Sequence, residues 1–299
     1  MTGKAEEWCI AQIIAAEETD NTEPVTTILM LNKLSTQELS ELKEKLKDIE
    51  FYDVGVGLYY SVQMNLHQLL ETYIIIAKQY LESRTMDGED VQMTGLSLSR
   101  LLLNLLSMFK SFIDHGHAAL KRRFGENSIE VSEWKNRQSL EYDKSSAYRL
   151  FCNLRNYSQH VGMPPLSFSF SENSGQDGVS IEIYFDRDKL LSSYSKWSKD
   201  AKADLKNGTG LISLLSAIDE WSACFRNLAR WIMDIRRQQA VPSAELITSI
   251  RKNFSIGDEG RIALMPIPAN AANEIEFRFQ WMPETQALNV ISGIPTIPE

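Results

Sequence analysis

The sequence predicts a mainly α-helical protein, a helical bundle with an inserted β-hairpin and minor strand content at the termini. In several long segments apolar residues recur three and four positions apart, which is typical of helices that bury one face. Two short segments instead alternate apolar and polar residues around a turn-rich loop, which indicates a hairpin. The chain has 299 residues, of which 43% are hydrophobic, so it holds enough apolar material for a core. We therefore predict a segment of unassigned structure at 1–34, a helical domain at 35–255, and a C-terminal extension with a strand at 256–299.

The N-terminal part contains two short apolar runs and then two helices. Residues 8–16 and 25–31 form either strands or helices, because runs this short show no decisive periodicity. The first helix is predicted to begin after Ser35, because Ser35 and Glu38 have the spacing of a capping box. In that motif each side chain accepts a hydrogen bond from a free backbone N–H of the first turn. A second helix is predicted at about 54–81.

Two further helices carry the residues of chemical interest. The first covers about 96–123 and ends in a basic turn, whose charge suits the negative end of the helix dipole. The second covers about 139–161. On a wheel of about 100° per residue its apolar side chains fall within an arc of about 120°, and Arg155 and His160 fall outside that arc, about 140° apart. The side chains predicted to be buried are Ala147, Leu150, Phe151, Leu154, Tyr157 and Val161.

A hairpin and a long helix follow. The hairpin is predicted at 165–186, where apolar and polar residues alternate on both sides of the loop. The segment 211–235 then repeats apolar residues every seven positions in two parallel series, a pattern that packs against a long partner helix. That partner lies either in the same chain or in a second copy. A separate, shorter helix is predicted after Pro242, at 244–253, and a strand is expected near 275–281.

Charge and cysteine content limit the classes of function. The formal net charge is −9, which argues against broad, nonspecific coating of nucleic acid but leaves room for a small site for RNA. The three cysteines are far apart in the sequence, so we expect no disulfide framework and a cytoplasmic protein. No run of about 18 uncharged apolar residues occurs, so we expect no membrane span. His115 and His117 are two positions apart and do not share a helix face, so we expect no metal site there.

The most specific motif is Arg155-Asn156-Tyr157-Ser158-Gln159-His160, at the end of the second of those helices. Its pattern of an arginine, an adjoining asparagine and a histidine after four intervening residues resembles the signature of the HEPN superfamily. The context is also similar, since that signature lies near the end of a helix in an α-helical bundle. The resemblance covers about residues 50–255 and depends on this one short motif.

The resemblance implies a bundle that often dimerises, with two motif helices facing each other. Many HEPN proteins are metal-independent ribonucleases of toxin–antitoxin, abortive-infection and CRISPR systems, and others are noncatalytic binding modules. It implies here an endoribonuclease and a homodimer, with RNA as substrate and an antitoxin or defence-system protein as a possible partner. We expect no cofactor. Some HEPN toxins carry a tyrosine two positions after the histidine, where this chain has Gly162, so control by modification of that tyrosine is not expected.

The residue types suit metal-free cleavage of RNA, in which the neighbouring 2′-hydroxyl is the nucleophile. Histidine titrates near neutrality and can move the proton, so His160 is predicted to be the acid and base. Arginine presents forked donors to phosphate oxygens, so Arg155 is predicted to hold the phosphate and Asn156 to orient it or the imidazole. Weaker candidates for contact with the substrate are Gln159, Tyr157, Lys121, Arg122 and Arg123.

Two other interpretations of the motif stay open. The hexad could be an ordinary helix C-terminus, where Arg and His stabilise the last carbonyls and Gly162 takes a left-handed conformation. The protein could also be a noncatalytic HEPN-like module that binds a protein partner or a nucleotide, or a structural subunit that docks through 211–235.

Overall fold

The computed structural model describes residues 6–15, 26–83, 85–172, 179–208, 210–267, 278–295 and 297. The elements are, in chain order, β1 (Trp8–Ala15), β2 (Thr26–Leu34), α1 (Thr36–Ser83), α2 (Gly88–Phe124), α3 (Ile129–Lys144), α4 (Ser146–His160), β3 (Leu166–Glu172), β4 (Val179–Phe185), α5 (Arg187–Ser193), α6 (Lys199–Asn207), β5 (Ile212–Ser213), α7 (Leu214–Asn253), β6 (Gly260–Pro266), β7 (Gln280–Trp281) and α8 (Glu284–Ser292). Helices dominate and the two sheets are small and antiparallel, so the predicted fold class is confirmed.

The chain divides into two compact units that differ from the three regions proposed from the sequence. Unit 1 contains residues 1–54 and 233–296, and unit 2 contains 55–232 and 297–299. Unit 1 joins the two ends of the chain because β1 pairs with β6, which lies about 250 residues later in the sequence. Pairing over such a distance leaves no local pattern in the sequence, so the boundaries at 34 and 255 do not coincide with those of the units.

Unit 1 contains a four-stranded sheet in the order β2-β1-β6-β7. The two apolar runs that could not be assigned from periodicity are thus strands, and Cys9, Ala11 and Met265 form a buried cluster on β1 and β6. The strand expected near 275–281 is described only as β7, and residues 275–277 lie outside the described residues.

The first helix begins as predicted. The backbone N–H of Ser35 donates to the Glu38 carboxylate at 2.8 Å, and the N–H of Glu38 donates to the Ser35 hydroxyl at 3.2 Å. The first of these hydrogen bonds is the main reason that the pKa of Glu38 lies below its ordinary value. The helix predicted to begin after Ser35 and the helix predicted at about 54–81 form the single helix α1, which has no proline in its interior.

The prediction of separate helices on the two sides of Pro242 is wrong, since α7 continues through this proline to Asn253. Proline removes one backbone donor from a helix interior, but packing on both sides can hold the helix together. Here Ala240, Ser243 and Ala244 are fully buried, and the Ser243 hydroxyl donates to the Asp48 carboxylate at 2.6 Å.

Unit 2 has an aromatic core on which α7 packs. Trp221 and Phe225 are fully buried, and both contact Phe109 of α2. The apolar repeat of 211–235 therefore packs within its own chain over most of its length. Leu211 precedes the helix and is exposed. Buried members of the repeat are Leu214, Ile218, Trp221, Phe225, Leu228 and Ile232.

Helix α2 is long and apolar enough to cross a membrane when judged by length and composition alone. Core helices of soluble proteins pass the same test. One face of α2 is already occupied, because Leu98, Leu102 and Leu105 are completely buried in unit 2.

The helix predicted at 139–161 is two helices in the structure. The first, α3, begins ten residues earlier, after the N-cap Ser128, and ends at Lys144. Ser145 is extended, with φ −122° and ψ 119°, and it is the N-cap of α4. The predicted hairpin is confirmed as β3 and β4, in which Leu166 pairs with Phe185.

Candidate functional site

Helix α4, which carries the motif, is held at its N-terminus by a carboxylate from α7. The Ser145 hydroxyl accepts a hydrogen bond from the N–H of Tyr148 at 3.0 Å, as an N-cap residue does. The same hydroxyl donates to Glu220 at 2.6 Å, and the N–H of Ala147 also donates to Glu220 at 3.2 Å. A negative charge at a helix N-terminus is favourable, so Glu220 helps to set where α4 starts.

The apolar face of α4 packs as the sequence predicts. Ala147, Leu150, Phe151 and Leu154 are buried, and only Val161, just beyond the helix, is exposed. Phe151 is completely buried and stacks on Trp221 at 5.2 Å between ring centroids. This packing fixes the rotation of α4 and directs its other face outward.

Two polar side chains anchor α4 to its neighbours. Arg149 forms a bidentate ion pair with Asp204 of α6, at 2.6 and 3.2 Å, and also donates to the carbonyls of Tyr142 and Asp143. The buried Asn153 donates to the Ser198 hydroxyl at 3.2 Å and accepts from the Ser198 N–H at 3.0 Å. Neither anchor was identified from the sequence, because their partners lie 45 to 55 residues away.

We expect Asn153→Ala to lower the free energy of unfolding by about 1–3 kcal/mol, because it leaves the Ser198 N–H without its acceptor. Chemical denaturation followed by circular dichroism measures this. Asn156→Ala is the matched control on the same helix. Its side chain is exposed and makes no hydrogen bond among the described residues, so its effect should stay within about 0.5 kcal/mol. Equal losses in both variants would contradict the anchoring role of Asn153.

The motif residues lie on the outer face of the last turns of α4. Arg155 is half-buried, and its Nη1 donates to the Gln159 amide oxygen at 3.4 Å. Asn156 and His160 are exposed and one turn apart. Neither makes a hydrogen bond within the part of the chain that the structure describes, although the His160 ring stacks near Tyr194 at 6.4 Å between centroids. These polar groups are therefore open to a ligand.

Tyr157 differs from its neighbours because its side chain is buried. Its hydroxyl and that of Ser193 are 2.9 Å apart, and its ring packs against Tyr194 and Trp197. The role in substrate contact predicted for Tyr157 has no support from this placement. After the helix, the N–H of Val161 donates to the Tyr157 carbonyl and Gly162 has φ +140°, a conformation that favours glycine.

A cavity of about 350 Å³ opens beside Arg155 and Asn156. It lies between α2, α3 and α4, entirely within unit 2. Lys110 of α2 also lines it and forms an ion pair with Asp114. Lys110 could not be predicted as a site residue from the sequence, since a lone lysine on a long helix has no distinguishing pattern. His160 and Gln159 do not line this cavity.

The structure places the basic turn of α2 away from the cavity. Lys121, Arg122 and Arg123 are exposed, and they follow the last cavity-lining residue of α2, Ile113, by eight to ten positions. That is about 12–15 Å along a helix axis. Lys121 pairs with Glu126 at 2.7 Å. The structure thus does not bring this turn together with Arg155 and Asn156 in one cavity, and its contact with RNA stays a prediction.

No cluster of three or more His, Cys, Asp or Glu side chains with the arrangement of a metal site occurs among the described residues. His115 is exposed and His117 is half-buried on α2. The three cysteines are free.

Two thiols of unit 2 are expected to be unreactive. Burial raises the pKa of Cys152 to about 12 and that of Cys224 to about 11. Burial disfavours the thiolate in the folded state, so stability is unaffected below the ordinary thiol pKa of 9.0 and falls as the pH rises from there toward the folded values. We expect alkylation by iodoacetamide at pH 8 to be at least about 100-fold slower in the native protein than after unfolding, because the thiolate is the nucleophile. Peptide mapping by mass spectrometry measures both rates, and equal rates would contradict the burial of these thiols.

Comparison of the chain with known protein families, with curated proteins and with solved structures found no match.

Proposed function

We propose that this protein is a metal-independent endoribonuclease of the HEPN type, which acts as a homodimer in the cytoplasm in a bacterial toxin or phage-defence setting. The observation that carries the proposal is the outer face of α4. Arg155, Asn156 and His160 are solvent-accessible there, without any carboxylate partner among the described residues. Arg155 and Asn156 also line a cavity, together with Lys110. An arginine that only stabilises the end of a helix does not require a cavity beside it.

The chemistry assigns one role to each residue. His160 takes the proton of the 2′-hydroxyl, whose oxygen then attacks the adjacent phosphorus while the bond to the 5′-oxygen breaks. Arg155 stabilises the negative charge that develops on the phosphate oxygens. The imidazolium of His160 then gives this proton to the departing 5′-oxygen, and Asn156 orients the phosphate or the imidazole. The products are a 2′,3′-cyclic phosphate and a 5′-hydroxyl.

A homodimer can bring together Arg155 and His160, which point in different directions within one protomer. Arg155 and His160 lie about 140° apart on an ideal helix, and no described hydrogen bond joins them. Two α4 helices that face each other around a twofold axis would bring the Arg155 of one copy toward the His160 of its partner. We therefore propose that each active site contains residues from both copies.

Incubation of wild-type protein with RNA in excess EDTA tests the function. The expected result is cleavage that leaves 2′,3′-cyclic phosphate ends. These ends are detected because a ligation that requires a 3′-phosphate fails until the cyclic phosphate has been opened. Absence of cleavage by folded, dimeric protein would contradict the proposal.

A noncatalytic HEPN-like module that binds a nucleotide or a protein partner is the second candidate function. It is favoured by one observation, that His160 does not line the cavity beside Arg155. A ligand could then bind to the cavity without contacting the histidine.

A further inference from the structure

The cavity beside Arg155 has the size of a site for one small ligand. Its volume of about 350 Å³ lies at the lower end of the range for pockets that hold small molecules. It can take one ring with its attached sugar, and it is too small for a stacked pair of bases or a duplex. Its three walls are helices, so it is formed in advance by rigid elements rather than by loops.

The floor of the cavity is aromatic and rigid. Phe109, Tyr148 and Phe151 line it and are each at most 3% exposed. Trp221 packs against two of these rings. It meets Phe109 edge-on and stacks on Phe151, each at 5.2 Å between ring centroids. Because these rings are almost completely buried, they give the cavity an apolar floor, which favours an uncharged, apolar part of a ligand.

The floor also disfavours charge. Burial raises the pKa of the Tyr148 hydroxyl and of the Cys152 thiol, and both side chains line the cavity. Both groups are therefore neutral at physiological pH. A ligand group that enters deeply must also be uncharged, because a charge there would lose its hydration without gaining a partner.

The mouth of the cavity has the opposite character. Arg155 and Lys110 provide two cations, of which Lys110 is paired with Asp114, and the Asp143 carboxylate also lines the cavity. The only partner of Arg155 among the described residues is the neutral Gln159, so Arg155 is the cation left for a ligand anion. Gln138 and Asn156 add amide groups that can donate and accept hydrogen bonds. A ligand that matches both regions has a flat, neutral ring with polar edges and a nearby anion, which is the chemistry of a nucleoside monophosphate unit.

We propose that this cavity binds one unpaired nucleobase of the RNA, with the adjoining phosphate at Arg155, and so makes cleavage selective for one base. This inference depends on the proposed endoribonuclease function. Single-stranded RNA is commonly recognised in this way, by bases that leave the strand, stack on aromatic side chains and use their edges for hydrogen bonds.

Binding of small probes tests the inference without any cleavage. The four nucleoside 3′-monophosphates are titrated into the protein by calorimetry and compared with ribose 5-phosphate, which has the sugar and phosphate but no base. At least one nucleotide is expected to bind at least about tenfold more tightly than ribose 5-phosphate, which is the range of base stacking on aromatic side chains. Equal affinities would overturn the inference.

A matched pair of variants locates the binding. Ser139→Trp places a large ring at the mouth of the cavity, whereas Ser132→Trp places the same ring on an exposed site of α3 that does not line it. Only Ser139→Trp is expected to weaken nucleotide binding, by at least about tenfold. Equal binding by the two variants would overturn the inference, and circular dichroism verifies that both fold.

Failure of this inference differs from failure of the proposed function. If the protein cleaves RNA but binds the nucleotides and ribose 5-phosphate equally tightly, the nucleobase site is contradicted and the proposed nuclease function is not. Selective nucleotide binding that Ser139→Trp removes, together with no cleavage of RNA, would support the site and contradict the nuclease.

Discussion

His160→Ala is expected to lower the rate of RNA cleavage by about 10²- to 10⁴-fold, the usual contribution of a positioned general acid or base. The expected loss is in catalysis and not in folding. His160 is exposed, and its ring contact with Tyr194 has a centroid distance of 6.4 Å, so its removal should change stability by at most about 0.5 kcal/mol. Cleavage rates in EDTA with a defined RNA measure the effect.

The matched control is His67→Ala, which removes an exposed histidine that pairs with Glu71 on α1. It should leave the rate unchanged. If His160→Ala cleaves RNA as fast as His67→Ala, the catalytic role of His160 is contradicted and a contaminating nuclease is indicated. Arg155→Ala should lose activity as well, and Arg100→Ala, at an exposed position of α2, is its control.

A mixture of the two inactive variants distinguishes a shared site from a site within one protomer. In a mixed dimer of Arg155→Ala and His160→Ala chains, one site has both residues if the site is shared, and no site has both if each protomer provides its own. Random mixing should therefore restore about a quarter of the wild-type activity in the shared arrangement. No recovery in a verified mixed dimer would contradict the proposed dimeric site.

The largest expected effect on stability is that of Trp221→Ala, at about 3–5 kcal/mol in the free energy of unfolding. Trp221 is fully buried and touches three aromatic rings, stacking on Phe151 and Phe225 and meeting Phe109 edge-on. Alanine would leave a cavity at the centre of unit 2, behind the floor of the site. Denaturation by urea, followed by near-ultraviolet circular dichroism, measures the loss of this packing.

Two further variants test the cause of that loss. The indole nitrogen of Trp221 is buried without a hydrogen-bond partner among the described residues, so Trp221→Phe loses packing volume but no hydrogen bond and should cost much less than alanine. Trp231→Ala removes a half-buried indole that stacks on Trp134, and it should also cost less. A Trp221→Ala protein as stable as Trp231→Ala would contradict the central position of Trp221.

Local patterns predicted the elements whose stabilising contacts are local. The capping box of Ser35 and Glu38 spans three residues, and the hairpin of β3 and β4 depends on neighbouring segments, so both could be predicted and both are confirmed. The apolar arc of α4 could be predicted for the same reason, because a helix repeats its faces every 3.6 residues. The break at Ser145 was missed, since a serine within apolar periodicity is compatible with both a helix interior and an N-cap.

The sequence by itself determined the helical class, the outward face of the motif and the residue types available for chemistry, because all three follow from the order of side chains along single elements. Only the tertiary structure decided that β1 pairs with β6, that Asn153 and Arg149 anchor α4, and that Lys110 comes to the same cavity as Arg155. These results depend on contacts between residues 45 or more positions apart, whose energies come from packing in space and have no periodic signature in the chain.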